Sequence, residues 1–329
     1  MIVVSFLVLQ FGLVYGQSTQ ENPESRTKEI RQMWQTIVKR RPRQVTKRTR
    51  ISPSNSNTHA DNQNDKANKQ DAEPGQEEPA PEYRMTSPML PAEGQDIGIT
   101  IWRLRLARPN DPSSVIQKIE TKRLRHPPAG VSSSITSLTP ERIDANIPLF
   151  ENDLVQLSVE APPDSFVYVI NREVYTDGDT TYGSPYLIFP TLRTNLGFNR
   201  MEPGILINIP SMSDKPPFFE LERSSEQHKG EELTFVFSPA KIEDFDGKPD
   251  QTQLSKDQFQ RVLRWVADTG RIDLIKGIGQ IQTSEEAEAS KTSNTKRLKH
   301  NSAMPQMIFR VAKKSTEIFA LTIVLRIAS

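Results

Sequence analysis

Phe166-Val-Tyr-Val-Ile-Asn-Arg-Glu-Val-Tyr175 and Gly183-Ser-Pro-Tyr-Leu-Ile-Phe-Pro-Thr191 are apolar runs on either side of the polar segment Thr176-Asp-Gly-Asp-Thr-Thr-Tyr182. Val, Ile, Tyr and Phe suit a pleated, half-buried surface, and Asp-Gly supplies the positive φ of a tight reversal. The spacing predicts the central hairpin of a β domain.

Further strand signals follow on both sides. Upstream, Ile97-Gly-Ile-Thr-Ile-Trp-Arg-Leu-Arg-Leu106 alternates at Ile97, Ile99 and Ile101, then shifts phase to Trp102, Leu104 and Leu106. Such a shift marks a bulge or a strand that passes between two environments. Asp153-Leu-Val-Gln-Leu-Ser-Val-Glu160 is another strand, and Thr139-Pro-Glu-Arg142 reads as a turn or helix start. Downstream come Ile205–Ile209, Phe218–Leu221 and Glu232–Phe237, with turns at Met201–Gly204 and His228–Gly230. Ser255-Lys-Asp-Gln258 has capping-box spacing, and Phe259, Val262, Leu263 and Val266 form a helical stripe behind it. Gln306–Val311 and Ile318–Ile327 read as a closing hairpin whose last strand is buried on both faces. Short strands at this spacing predict a mainly β fold, an antiparallel β-sandwich with one packing helix, over residues 95–329. A mobile polar insertion is expected at 285–301.

The 329 residues are 35% hydrophobic and 25% charged, with a net charge of +1 and a mean hydropathy of −0.57. Apolar residues thin out before about residue 95, so one folded domain with a long polar leader fits better than two domains. Residues 1–16 form an apolar run ending Val14-Tyr-Gly16. It is too short for a bilayer core of about 30 Å and matches the apolar region of a secretory signal, although no Lys or Arg precedes it. The expected location is therefore periplasmic or extracellular. The chain has no cysteine, which excludes disulfides, thiol nucleophiles and Cys-based zinc sites.

Glu29–Val38 has Ile30, Met33 or Trp34, and Ile37 at helical spacing, followed by the basic cluster Lys39-Arg-Arg-Pro-Arg43 and Lys47-Arg-Thr-Arg50. From Ser52 to Pro91 the chain is almost free of apolar side chains and turns acidic. Such composition cannot offset its ordering entropy, so 17–94 is expected to be a disordered charged tether. The Lys39–Arg50 cluster can meet an anionic surface by charge alone; without aromatic interleaving it specifies no nucleic acid.

The ordered set Asn152-Asp-Leu-Val, Phe166-Val-Tyr-Val-Ile-Asn-Arg, Leu187-Ile-Phe-Pro-Thr, Asn195, Ile205-x-Ile-x-Ile-Pro210 and Glu232-Leu-Thr-Phe-Val-Phe-Ser238 resembles a bacterial domain-of-unknown-function family. The resemblance covers about residues 95–240. It implies a β-rich accessory module, secreted or attached to signalling proteins, and transfers no catalytic residue.

The four histidines, His59, His126, His228 and His300, fall in polar or turn-like stretches without ligand spacing and read as surface positions. There is no Gly-x-Ser-x-Gly elbow and no phosphate loop. Asp177-Gly-Asp179 and Glu243-Asp-Phe-Asp-Gly247 suit a weak calcium site, but their spacing departs from the EF-hand and acidic residues with Gly are common turn vocabulary. No cofactor is expected. Tyr175, Tyr182, Tyr186, Arg172 and Arg193 are the candidate contact surface, because Tyr and Arg are enriched at binding hot spots; equally, alternate tyrosines such as Tyr168 can fill the core. The expected role is a non-catalytic binding or accessory module for an envelope protein or polymer. The alternatives are a secreted hydrolase or metal-dependent enzyme, and a structural stabiliser of a larger envelope complex.

Overall fold

The fold is seen in a computed structural model that describes residues 94–126, 133–160, 165–266, 269–274, 277–291, 297–299, 301–313 and 316–328. All of these belong to one of the chain's two contact units; the other, Gln44–Ala92, lies outside them. The expected signal at 1–16, the tether up to residue 93, the stretch 29–38, the basic cluster 39–50, His59 and His300 also lie outside the described residues.

Among the described residues, the strands in chain order are β1 (Gln95–Leu106), β2 (Gln117–Glu120), β3 (Ile135–Arg142), β4 (Leu154–Glu160), β5 (Ser165–Asp177), β6 (Asp179–Tyr182), β7 (Tyr186–Phe189) and β8 (Arg200–Met201). They continue as β9 (Ile207–Ile209), β10 (Phe219–Glu220), β11 (His228–Ser238), β12 (Thr252–Gln253), β13 (Thr269–Asp273), β14 (Met307–Val311) and β15 (Phe319–Arg326). The α-helices are α1 (Lys256–Trp265) and α2 (Ser284–Ala289). The strands form two antiparallel sheets. One runs β10-β4-β1-β14-β13, with β3 and β2 continuing from β1 and β9 from β4; the other runs β12-β7-β5-β11-β15, with β6 and β8 on β5.

The hairpin of 166–191 lies at the centre of the second sheet. β5 pairs with β11 along one edge and with β7, β6 and β8 along the other. Asp177 pairs with Asp179 around Gly178, whose φ of 79° is a left-handed conformation that favours glycine. Alternation then assigns the side chains to two cores. Val167 and Val169 of β5, Leu233, Phe235 and Phe237 of β11, and Phe319, Leu321, Ile323 and Leu325 of β15 pack against Ile97, Ile99, Ile101, Val155, Leu157, Val159 and Phe309 of the first sheet. Full burial of each such side chain contributes about 1.5–3 kcal/mol. The intervening Tyr168, Ile170, Val236 and Ala320 face outward and are covered by Phe245, Leu254 and Val262 of the 242–265 segment. Two-sided burial explains why β5 reads as a continuous apolar run. Tyr168 is a core residue: its hydroxyl accepts from the Ile242 N–H at 2.7 Å and donates to Asp246 at 3.0 Å, and burial pushes the phenol up to about 12.

β1 does pass between two environments. It pairs with β14 over residues 95–99 and with β3 over 102–106. Ile97, Ile99 and Ile101 enter the main core, Leu104 enters a separate cluster with Leu138 and Phe218, and the Trp102 indole N–H donates to Ser158 Oγ at 2.6 Å. Arg310 grips Asp96 with two bonds, at 2.8 and 2.9 Å, fastening β14 to the start of β1.

Four local expectations are corrected. Residues 139–142 are strand, in β3: Arg142 donates to Gln280 O, and Pro140 O accepts from Gln282. The backbone at 140 and 142 therefore points away from β1, and the missing N–H of Pro140 removes no bond to that neighbour. The last two strands are no hairpin, because β14 belongs to the first sheet and β15 to the second. β15 pairs only with β11 among the named strands, and its outer face is buried at Ala320 but exposed at Val324. In α1 the capping box forms as expected, yet Leu263 and Val266 are exposed and the packed side is Phe259, Val262 and Trp265. Finally, the segment expected as a mobile insertion, 285–301, contributes most of α2, capped by Thr283 and Glu286. Glu286 is buried in an ion pair with Arg142, and Ala289 and Leu298 pack on Leu206; residues 292–296 lie outside the described set.

Candidate functional site

Toward one end of the sandwich the inward positions of β5 and β11 change from apolar to polar. On β5 the register of Val167 and Val169 continues to Asn171, Glu173 and Tyr175; on β11, Leu233 lies opposite Asn171, Glu231 opposite Glu173 and His228 opposite Tyr175, with a register shift between His228 and Gly230. A Cβ at Gly230 would stand 2.4 Å from the Leu325 carbonyl oxygen, so only glycine permits β11 to run this close to β15 here.

His228 is fully buried. The Ser224 N–H approaches its Nδ1 at 3.3 Å, which makes Nδ1 an acceptor, so Nε2 is the nitrogen that donates, to Gly230 O at 2.9 Å. Glu231 Oε1 stands 3.3 Å from Nε2, and Glu173 Oε1 stands 3.9 Å from Nδ1. Tyr175 donates to Glu173, a bond that holds its phenol above the usual range, and its ring centroid lies 5.5 Å from that of His228. Asn171 Nδ2 donates to Glu231 Oε2 at 3.0 Å, while Asn171 Oδ1 is buried without a partner. Burial, reinforced by the charge of Glu173 and opposed by the Asn171 hydrogen bond, pushes the Glu231 carboxyl up to about 7. Among the described residues, neither Glu173 nor Glu231 is paired with Lys or Arg.

Beside this cluster a cavity of about 190 Å³ lies between the sheets. Val155, Leu157, Leu233 and Leu325 give it apolar walls, Asn171 and Glu231 a polar end, and Glu220 and Gln251 also line it. A second cavity of about 170 Å³ is lined by Arg193, Asp250 and Lys215 and shares Gln251 with the first. An apolar pocket with a few convergent polar groups and a perturbed carboxyl is the arrangement of a binding site.

The structure separates the five sequence-predicted contact residues. Tyr175 joins the Glu173–His228 cluster. Arg172 and Tyr182 are together on the outer face: the guanidinium lies 3.7 Å from the Tyr182 ring centroid and donates to Glu232. Tyr186 is exposed at the start of β7, and Arg193 pairs with Asp250 at the second cavity. The reading of every histidine as a surface position is corrected by His228, which the strand register draws inside; His126 is exposed, with Nδ1 3.0 Å from Glu220. Sequence reasoning missed Asn171, Glu173 and Glu231. The available signal was the two-residue period running on from Val167 and Val169; nothing local marked His228, because its register shift arises from pairing with a distant strand.

The acidic turn at 243–247 serves other partners. Asp244 is held by Gln258 and Arg261, and Asp246 by Tyr168 and Lys241. Glu173, His228 and Glu231 can each offer one metal-ligand atom, all within 4.8 Å of one another, and two oxygens with one imidazole nitrogen suit a divalent ion such as zinc. No family model, curated protein or solved structure matches the chain. Among the described residues no helix is long and apolar enough to cross a membrane.

Proposed function

We propose that the protein is a non-catalytic binding module that works outside the cytoplasm, as an accessory to an envelope protein or polymer, and that it takes its partner at the mouth between the sheets. The carrying observation is the 190 Å³ cavity with apolar walls and a polar end at Asn171 and Glu231. A concave, mostly apolar pocket with a few placed polar groups is where a ligand is held and oriented. The apolar start of the chain supports export, and the resemblance of residues 95–240 to an accessory-domain family supports a non-catalytic role.

The test is capture from the native cell envelope with the full chain and with Gln251→Trp. Gln251 is exposed and lines both cavities, so the indole obstructs the mouth without entering the core. The expected result is a saturable partner lost by the variant; equal capture by both proteins refutes the assignment of the mouth. The Glu173–His228–Glu231 group favours one alternative, a metal-dependent hydrolase. Full burial of His228 and the engagement of both its ring nitrogens weigh against it, since a catalytic imidazole must reach substrate or nucleophile. Turnover of a hydrolase substrate that a chelator abolishes would replace the binding reading.

A further inference from the structure

The polar end of the inter-sheet cavity lacks a positive charge. Glu231 is largely buried, its side chain 14% exposed, with Glu173 directly across the strand pair. The groups that face Glu231 are Glu173, Asn171 and Tyr175 from β5 and His228 from its own strand, with Glu220 of β10 and Gln251 on the cavity wall. The donors it meets are Asn171 Nδ2 and the imidazole of His228. A carboxylate removed from water must be protonated or paired with a cation. Asn171 lines the same end of the cavity. The remaining walls are apolar, aliphatic except for Phe219, and about 190 Å³ is somewhat more than the roughly 150 Å³ that accommodates a benzene molecule in an engineered apolar cavity.

Resting on the binding reading above, we infer that the group received by this cavity is an alkylammonium: an aliphatic chain of about four to six carbons ending in a primary ammonium, as a lysine side chain or a free amine carries. The chain lies along Val155, Leu157, Leu233 and Leu325, and the ammonium meets Glu231. An ammonium brings three donors and no acceptor, which matches an end whose carboxylate has no Lys or Arg partner among the described residues. A ligand carboxylate would meet Glu231 and Glu173 as like charges, and a neutral alcohol would leave the carboxylate without a counter-charge. The site therefore selects by charge at one end and by apolar fit along its length.

The experiment is calorimetric titration of the full chain with n-pentylammonium, n-pentanol and pentanoate. A second probe, Nα-acetyl-lysine amide, distinguishes a peptide-borne lysine from a free amine. Pentylammonium is expected to bind at least tenfold more tightly than pentanol, and pentanoate not at all. Glu231→Gln removes most of the affinity. The comparison of the three probes on the unaltered chain does not depend on that variant. Pentylammonium no tighter than pentanol overturns the inference. So does a micromolar zinc effect on melting that disappears in Glu173→Gln while pentylammonium has none; that result assigns the missing positive charge to a metal ion. Envelope capture uses no added amine, so its outcome stands or falls separately.

Discussion

Replacing Glu231 by Gln should stabilise the protein in a pH-dependent way. In the folded chain this carboxyl holds its proton up to about pH 7, against 4.5 for an unperturbed glutamate. Between those values the folded state binds more protons than the unfolded state. Stability therefore falls as pH rises through this window and stays lower above it. At 1.36 kcal/mol per pK unit the loss is on the order of 3 kcal/mol, and a side chain only 14% exposed is little relieved by solvent. Glutamine keeps an acceptor for Asn171 Nδ2 and never carries the charge. Urea unfolding of the two full-length proteins should give equal free energies at about pH 4.5 and a gap favouring the variant that grows to roughly 3 kcal/mol by about pH 8. In melting temperature that is roughly 6–12 °C for a domain of this size. Subtracting the two proteins removes groups common to both, including Asp111, which the Arg105 guanidinium holds below the usual carboxylate range. Glu173→Gln should lower the Glu231 midpoint, because the charge of Glu173 raises it. A gap that is constant with pH would refute the reasoning.

Three further outcomes follow from packing. Arg142 and Glu286 form a buried ion pair, so Glu286→Ala leaves an unpaired buried guanidinium and should cost about 3–5 kcal/mol; in a double-mutant cycle with Arg142→Ala the two losses should be far from additive, and additive losses would contradict the pairing of α2 with β3. A Cβ at Gly98 would stand 2.6 and 2.7 Å from ring atoms of Pro305, so Gly98→Ala should lose about 1–3 kcal/mol by overpacking, seen as a lower denaturation midpoint with unchanged far-ultraviolet dichroism. Removing residues 320–329 deletes Leu321, Ile323, Leu325 and Ile327 from the core, a loss of roughly 6–12 kcal/mol against a typical total of about 5–15 kcal/mol; the truncated chain should show no cooperative melting transition.

The fold was legible wherever local pattern and tertiary environment agree. The run at 166–175 declared a strand because both of its faces are buried, and Ser255–Gln258 declared a helix start because a capping box is complete within one turn. Legibility failed where a distant partner decides the outcome. Pro140 looked like a turn residue because the sequence does not say which way its backbone points, and the closing pair of strands looked like a hairpin because nothing in 312–318 signals passage from one sheet to the other. α2 is hidden by its polar composition: it is anchored by Arg142 through an ion pair rather than by an apolar stripe. The candidate site suffered most. Asn171, Glu173 and Glu231 carry no apolar mark of burial, and the register between β5 and β11 turns them inward. Tyr175 was selected for its residue type, and it sits among groups that were not selected at all.

The grip of Arg310 on Asp96 joins residues 214 positions apart, and β14 lies beside the very strand that opens the sandwich. Contacts of such sequence separation are slow to form, because a long loop must close before any of them is rewarded. A chain delivered amino end first from a ribosome therefore presents β1 long before its partner exists. Until β14 and β15 have been made, Ile97, Ile99 and Ile101 have no complete core to enter.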